Sequence, residues 1–237
     1  MRAFFLNEDF ISACFWSATQ SFIDSRPAVY HQIDEIISAT ESIRKNFPFG
    51  QAGSISRDSA LELLSIAAYF SPKSVCEVGT YIGRTAFCII AGAPSSIDSL
   101  FTCDLSFDNF SMSPEILAAC PQRNVISYFG KKSSTEMFEE LLGSGRSGSV
   151  DFFLIDGRVS GRDLDLIAKL KTDDAIFVFD DFEGVEKGVY NAMMIGGRLK
   201  DYVLVRPSSQ AFPVVSRPRG RLALMFPISL LRVTKQQ

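Results

Sequence analysis

The chain has 237 residues, 46% of them apolar and 12% aromatic, and its 24 basic side chains against 27 acidic ones give a formal net charge of −3. That length builds a full core without disulfide or metal staples, and that composition excludes the fibrous and disordered classes. The near-balanced charge offers no general attraction to nucleic acid or an anionic membrane, and a single histidine, His31, excludes a zinc site built on His pairs.

The first 50 residues carry seven of the 21 phenylalanines (Phe4, Phe5, Phe10, Phe15, Phe22, Phe47 and Phe49), the only tryptophan, Trp16, and a helical pattern from Tyr30 to Lys45. Residues 1–52 are read as an N-terminal helical arm, which either packs on the main domain or serves as a lid or homodimer contact. Asn7, Glu8 and Asp9 interrupt the stretch where a signal peptide would be apolar, and no run of about 18 uncharged apolar residues follows, so no membrane segment is expected. The five cysteines (Cys14, Cys76, Cys88, Cys103 and Cys120) contain no CxxC pair and lie mostly in apolar runs. They are expected to be reduced core residues of a cytoplasmic protein.

A main domain over residues 53–237 opens with a helix starting near Ser56 or Asp58, with Leu61, Leu64 and Ala68 on one face. From Ser74 onward, short β-like runs alternate with helical stretches: SVCEV then GRTAFCIIAG, SLFTCD then SPEILAAC, NVISYF then STEMFEELL, VDFFLI then GRDLDLIAKL, AIFVF then GVEKGVYNAMM. Strands apolar on both faces and separated by helices specify an α/β, doubly wound, Rossmann-like and mostly parallel sheet. DYVLVRP and RLALMFPI then follow without a helix between them, so they are expected to close the sheet as an antiparallel hairpin. From Asp201 onward six basic residues face one acid, yet no aromatic residues interleave RPRGR. We read that loop as a solvated guard of a sheet edge, with no nucleic-acid partner.

Ligands of such a sheet sit at the carboxyl ends of its strands. After the first run comes Glu77-Val78-Gly79-Thr80-Tyr81-Ile82-Gly83, with GxxxG spacing in place of the dinucleotide GxGxxG. A carboxylate two residues before this turn repels a pyrophosphate but suits a ligand with an amine and a sulfonium, S-adenosylmethionine (SAM). The second run ends in Asp104, 25 residues after Gly79 and followed by Leu105, where an acid accepts hydrogen bonds from ribose hydroxyls. The third ends in Gly130-Lys131-Lys132-Ser133, a turn suited to flank an adenine.

The string VCEVGTYIGRTAF resembles motif I of class I SAM-dependent methyltransferases, particularly the small-molecule O-methyltransferases related to catechol O-methyltransferase and the macrolide-sugar O-methyltransferases. VDFFLIDGRVSGRDLDLIAKLKTDDAIFVFDDFEGVEKGV is similar to their fourth and fifth strands, with wording close to "D-hydrophobic-IDG-x-H-S" and a later "hydrophobic-DD". The resemblance spans roughly Ser56 to Met194. It implies a seven-stranded sheet whose last-but-one strand is antiparallel, and SAM held by Glu77, Gly79, Thr80, Tyr81 and Gly83 at its methionine end. By the same resemblance Asp104 and Leu105 meet the ribose side, and Gly130, Lys131 and Ser133 the adenine, with Asp156 also at the cofactor. In metal-dependent members the matching acids hold a divalent ion, here Mg²⁺ on Asp156, Asp180 and Asp181, three hard oxygen donors. That ion would activate a hydroxyl of a small-molecule acceptor. In the alternative, Asp181 caps the following helix and Asp156 merely touches SAM or a loop.

The chain departs from the pattern at the base. Val159, after Arg158, stands where relatives often carry His, which leaves Lys131, Lys132, His31 or water alone to accept the proton. Two further readings follow: a SAM-binding protein without catalysis, and a nicotinamide-dependent oxidoreductase, which Glu77 and the GxxxG spacing disfavour.

Overall fold

The computed structural model describes residues 55–105, 120, 122–182, 187–205 and 222–230, together with Glu35 and Ser38. The arm, apart from those two helical residues, lies outside them, and so do His31, Cys14 and the helix predicted from Ser113 to Ala119.

Helix α1 (Arg57–Phe70) begins where predicted, because the Ser56 hydroxyl accepts from the Ser59 N–H, and it ends as Ser71 turns into the left-handed region at φ 48°. Strand β1 (Ser74–Val78) leads to α2 (Arg84–Gly92), and β2 (Ser99–Asp104) is the strand before β3 (Ile126–Gly130). Helices α3 (Ser134–Gly143) and α4 (Gly161–Leu170) each start with a reciprocal capping box, Ser133 with Glu136 and Ser160 with Asp163. Between and after them lie β4 (Val150–Ile155) and β5 (Lys171–Phe179), then α5 (Gly188–Gly196), β6 (Tyr202–Val205) and β7 (Ala223–Pro227).

The seven strands form one sheet in the order β3-β2-β1-β4-β5-β7-β6. The first five pair in parallel, and β7 runs antiparallel to both β5 and β6, so the predicted hairpin forms with its second strand on the inside. Strand β5 starts four residues before the predicted AIFVF, directly after α4, and a register shift between the Val150/Lys171 and Phe152/Ile176 pairs absorbs the extra length.

Alternation along the central strands sorts the core into two layers. Val75, Leu100, Phe152, Leu154, Ile176 and Val178 meet α1 and α2 through Leu63, Ile66, Phe87 and Ile90. Cys76, Val78, Phe101, Phe153, Ile155 and Phe177 meet α3, α4 and α5 through Phe138, Leu164, Ile167 and Ile195. Phe153 and Phe177 stack with ring centroids 4.9 Å apart. Cys76, Cys88, Cys103 and Cys120 are free and buried, as expected. Among the described residues no helix is long and apolar enough to cross a membrane.

One polar node ties the second layer together. Asp163, 1% exposed, accepts from the Ser160 N–H (2.7 Å), the Ser134 hydroxyl (3.1 Å) and the Thr135 hydroxyl (2.6 Å), joining the start of α4 to the start of α3. Replacing it by Ala leaves these donors facing a buried void. We expect Asp163→Ala to cost about 2–4 kcal/mol and to lower the urea midpoint of unfolding with little change in the slope.

Candidate functional site

Strand order reverses beside β1, since β2 and β3 lie on one side of it and β4 and β5 on the other. The turns that follow these strands are fastened to one another through backbone. Gly79 and Thr80 donate their N–H groups to the Cys103 carbonyl at 3.0 and 3.1 Å. Asp156 and Gly157 donate to the Val78 carbonyl at 2.9 and 2.8 Å, and Asp180 donates to the Ile155 carbonyl at 3.3 Å. Gly79 has φ 100°, and a Cβ on it would lie 3.3 Å from both the Asp156 Cβ and the Gly157 nitrogen, so this crossing of two turns demands glycine.

The predicted methionine-end residues divide. Glu77 is wholly buried, and its carboxyl oxygens meet the hydroxyls of Thr85 on α2 and Thr102 on β2. The Thr80 hydroxyl pairs in turn with that of Thr102. The Glu77 and Thr80 side chains thereby brace the turn from behind. Burial pushes the Glu77 carboxyl up to about 8 against the hydrogen bonds from Thr102 and Thr85, and the charges of Asp156 and Asp104 add to the rise. Thr102 was foreseeable, because parallel pairing sets it directly beside Glu77.

On the other flank, Tyr81 sits at φ 47° and its N–H donates to Asp104 Oδ2 at 2.6 Å, which fixes the acid at the end of β2 beside the Gly79 turn. Gly83, at φ 85°, is the N-cap of α2. Leu105, 56% exposed, follows Asp104 and presents an apolar surface. Past β3, Gly130 and exposed Lys131 form the predicted turn, but Ser133 spends its hydroxyl capping α3, so its side chain is not available to an adenine as expected. Lys132 is held by Glu140 and lies near the Phe129 ring. It follows β3, three strand positions from β4, about 14 Å at ~4.8 Å per strand. Lys132 is therefore not brought to Asp156, and the catalytic role expected of it is not supported.

The three acids predicted to bind metal stand at the ends of β4 and β5, and sequence reading missed the residue between them. The Lys187 ammonium pairs with Asp156 and, at 2.9 Å, with Asp181 Oδ2. Asp180 is 5% exposed, and its Oδ1 has no hydrogen-bond partner. Burial, then the charge of Asp156, pushes the Asp180 carboxyl up to about 7. Asp156 is also raised, by burial first and by Asp181 and Asp104, against the pull of Lys187. Burial works against the Lys187 charge, but Asp156 and Asp181 outweigh it and raise its pKa. Among the described residues no group of three or more His, Cys, Asp or Glu side chains is gathered to hold a metal ion. A divalent ion needs these oxygens to converge at about 2.1 Å, and an ammonium already draws two of the three carboxylates. The donor set does not fit Mg²⁺ as expected; the helix start near Gly184 that Asp181 would cap in the alternative lies outside the described residues, and α5 as described starts at Gly188 with Lys187 at the N-cap.

Two residues set the turn that carries Asp156. Val159 is 3% exposed and packs into the second core layer. Its N–H donates to Asn191 Oδ1 at 3.2 Å, and Asn191 Nδ2 donates to the Gly157 carbonyl at 2.8 Å. Asn191, wholly buried on α5, thereby fixes the turn that carries Asp156.

No family model matches the sequence, and no curated protein is significantly similar to it. Solved structures do share its fold. The O-methyltransferase TomG of Streptomyces achromogenes, involved in tomaymycin synthesis and solved with SAM, superposes with a TM-score of 0.59 at 13% identity over 83% of this chain and 89% of that one. An O-methyltransferase of Bacillus cereus, in complex with SAH, gives 0.59 at 12% identity over 83% and 90% of the two chains. A methyltransferase of Geobacter sulfurreducens gives 0.57 at 13% identity over 81% and 87%. The chain has the fold of these enzymes.

The Glu77 network makes a prediction about pH. The folded carboxyl binds its proton up to about 8, whereas an unfolded glutamate loses it near 4.5, so between those values the folded state holds more protons and stability falls as pH rises. The slope approaches about 1.4 kcal/mol per pH unit for one proton. Glu77→Gln removes this contribution. Urea unfolding from pH 5 to 9 should show the variant gaining on the wild type as pH rises, and parallel profiles would contradict the assignment.

Proposed function

We propose that the chain is a SAM-dependent methyltransferase that moves the sulfonium methyl group to a hydroxyl oxygen of a small molecule. The observation that carries this reading is the pairing of the Gly79 turn with Asp104: a turn without a side chain at the β1/β4 crossing, next to a carboxylate oriented by the Tyr81 N–H. The first accommodates the methionine end of SAM close to backbone, and the second accepts from its ribose hydroxyls. Leu105 and the Gly130–Lys131 turn flank the nucleoside. TomG and the Bacillus cereus enzyme, with the same fold, were solved with SAM and SAH.

Methyl transfer is an in-line displacement, in which the acceptor oxygen forms a bond to carbon as the carbon–sulfur bond breaks and the hydroxyl proton leaves to solvent. The chain's contribution is to align the two reactants and keep bulk water away. The acceptor belongs over the ends of β4 and β5, on the far side of the Gly79 turn from Asp104. A catalytically silent SAM-binding protein is the second reading, favoured by the burial of Val159 where a base stands in relatives.

Calorimetric titration with S-adenosylhomocysteine and with NAD tests the cofactor. Binding of the first and not the second is expected, and Asp104→Ala should weaken it at least tenfold, about 1.4 kcal/mol. Absence of S-adenosylhomocysteine binding would sink the proposal. Transfer of labelled methyl from SAM to hydroxyl-bearing small molecules separates the enzyme from the silent binder.

A further inference from the structure

The element that brings Lys187 to the acids is fastened from three directions. Lys187 is the residue before α5, and the first residue of that helix, Gly188, lies so close to the end of β5 that a Cβ on it would come within 2.3 Å of the Asp180 carbonyl oxygen and 2.8 Å of the Asp181 carbonyl carbon. One turn later Asn191 grips the Gly157 carbonyl and the Val159 N–H. The ammonium then joins Asp156 on one strand end to Asp181 on the next. A solvated lysine on a charged surface has no such anchorage. Asp180 lies buried beside this pair, and its Oδ1 has no hydrogen-bond partner.

We propose that Lys187 is a built-in cation, a positioning residue whose ammonium holds Asp156 and Asp181 together and turns its remaining N–H to the acceptor oxygen, so that this site works without a divalent metal. An ammonium carries three donors, of which Asp181 Oδ2 takes one while Asp156 stays in ion-pair contact. The role toward the acceptor rests on the methyltransferase reading; the exclusion of a dication does not. Removal of the ammonium takes away the cation that Asp156 and Asp181 share and leaves their hard carboxylate oxygens, with those of Asp180, at adjacent strand ends, the donor type a divalent ion takes.

The test is Mn²⁺ binding, read from the electron paramagnetic resonance signal of the free ion, with and without S-adenosylhomocysteine. Wild type and Lys187→Arg, which keeps the charge, are expected to bind Mn²⁺ equally weakly. Lys187→Met, which keeps the length of the stem, should gain at least tenfold in affinity, and adding Asp180→Asn should abolish the gain. Far-UV circular dichroism establishes that each variant is folded. Stoichiometric Mn²⁺ on the wild type as tight as on Lys187→Met overturns the proposal, and this arm needs no variant beyond the comparison. A folded Lys187→Met without gained affinity overturns it as well. Failure of the methyltransferase reading would appear separately, as loss of S-adenosylhomocysteine binding with the Mn²⁺ ranking intact.

Discussion

The functional end of this sheet depends on one repeated interaction: the turns that leave β1, β4 and β5 donate their first N–H groups to a carbonyl near the end of the strand beside them. Gly79 and Thr80 bond to Cys103, Asp156 and Gly157 to Val78, and Asp180 to Ile155. Each bond contributes only about 0.5–1.5 kcal/mol to stability. Their structural effect is larger, because they continue the sheet ladder one step past the strands and so fix the height at which every turn leaves it. Asp104, the Gly79 backbone, Asp156 and Asp180 are thereby placed along one rim, instead of on four independent loops. Such a rim can hold an extended ligand against one end and a reacting partner against the other without a large closing motion.

Behind the rim, a buried acid in each core layer binds helix to sheet or helix to helix. Glu77 reaches into the layer of α1 and α2 and meets hydroxyls from α2 and β2. Asp163 does the same work between α3 and α4. The two differ in their partners. The Asp163 carboxylate takes one of its three hydrogen bonds from a backbone N–H, that of Ser160, whose hydroxyl accepts from the Asp163 N–H in return, in a capping box that any solvated helix start could use. Glu77 has only hydroxyls, which serve a neutral carboxyl as well as an ionised one, and burial resolves that ambivalence by raising its pKa toward neutrality. The turn that meets the ligand is thus braced by a group whose charge is costly, which explains why three threonines surround it.

What was legible in the sequence follows from local periodicity. Runs apolar on both faces marked the central strands, the stretches STEMFEELL and GRDLDLIAKL marked two of the helices between them, and the helix-less pair at the end marked the antiparallel strands. The Gly79 and Asp104 positions were legible because a ligand at strand ends needs a bare turn and an acid at a fixed distance along the chain. Contacts between elements left no such trace. Lys187 looked like part of a charged helix start, and Asn191 like an interior helical residue, since nothing in EGVEKGVYNAMM records that α5 docks against the turn after β4. Lys132 shows the converse: its place after a strand made it a candidate base, yet strand order carries it to the far edge and Glu140 occupies it. The metal expectation arose in the same way, because three carboxylates were visible and the ammonium that pairs with two of them, six residues beyond Asp181, was not assigned to them.

A cation tethered to the chain differs from an exchangeable one in what it couples to. A bound metal ties the site to the free concentration of the ion, and stabilises the fold only as far as that concentration exceeds its dissociation constant. Lys187 ties the site to the docking of α5 instead, because the same helix start that supplies the ammonium supplies the Gly188 contact with β5 and, one turn on, the Asn191 bridge to β4. Charge balance at the acids and the seating of the helix are then one equilibrium. Loosening α5 withdraws the cation from Asp156 and Asp181 at the moment it frees the turn after β4, and an acid cluster without its cation repels itself, which penalises the loosened state further. The acids that look excessive for a soluble surface thus make the helix dock, and the docked helix makes the acids tolerable.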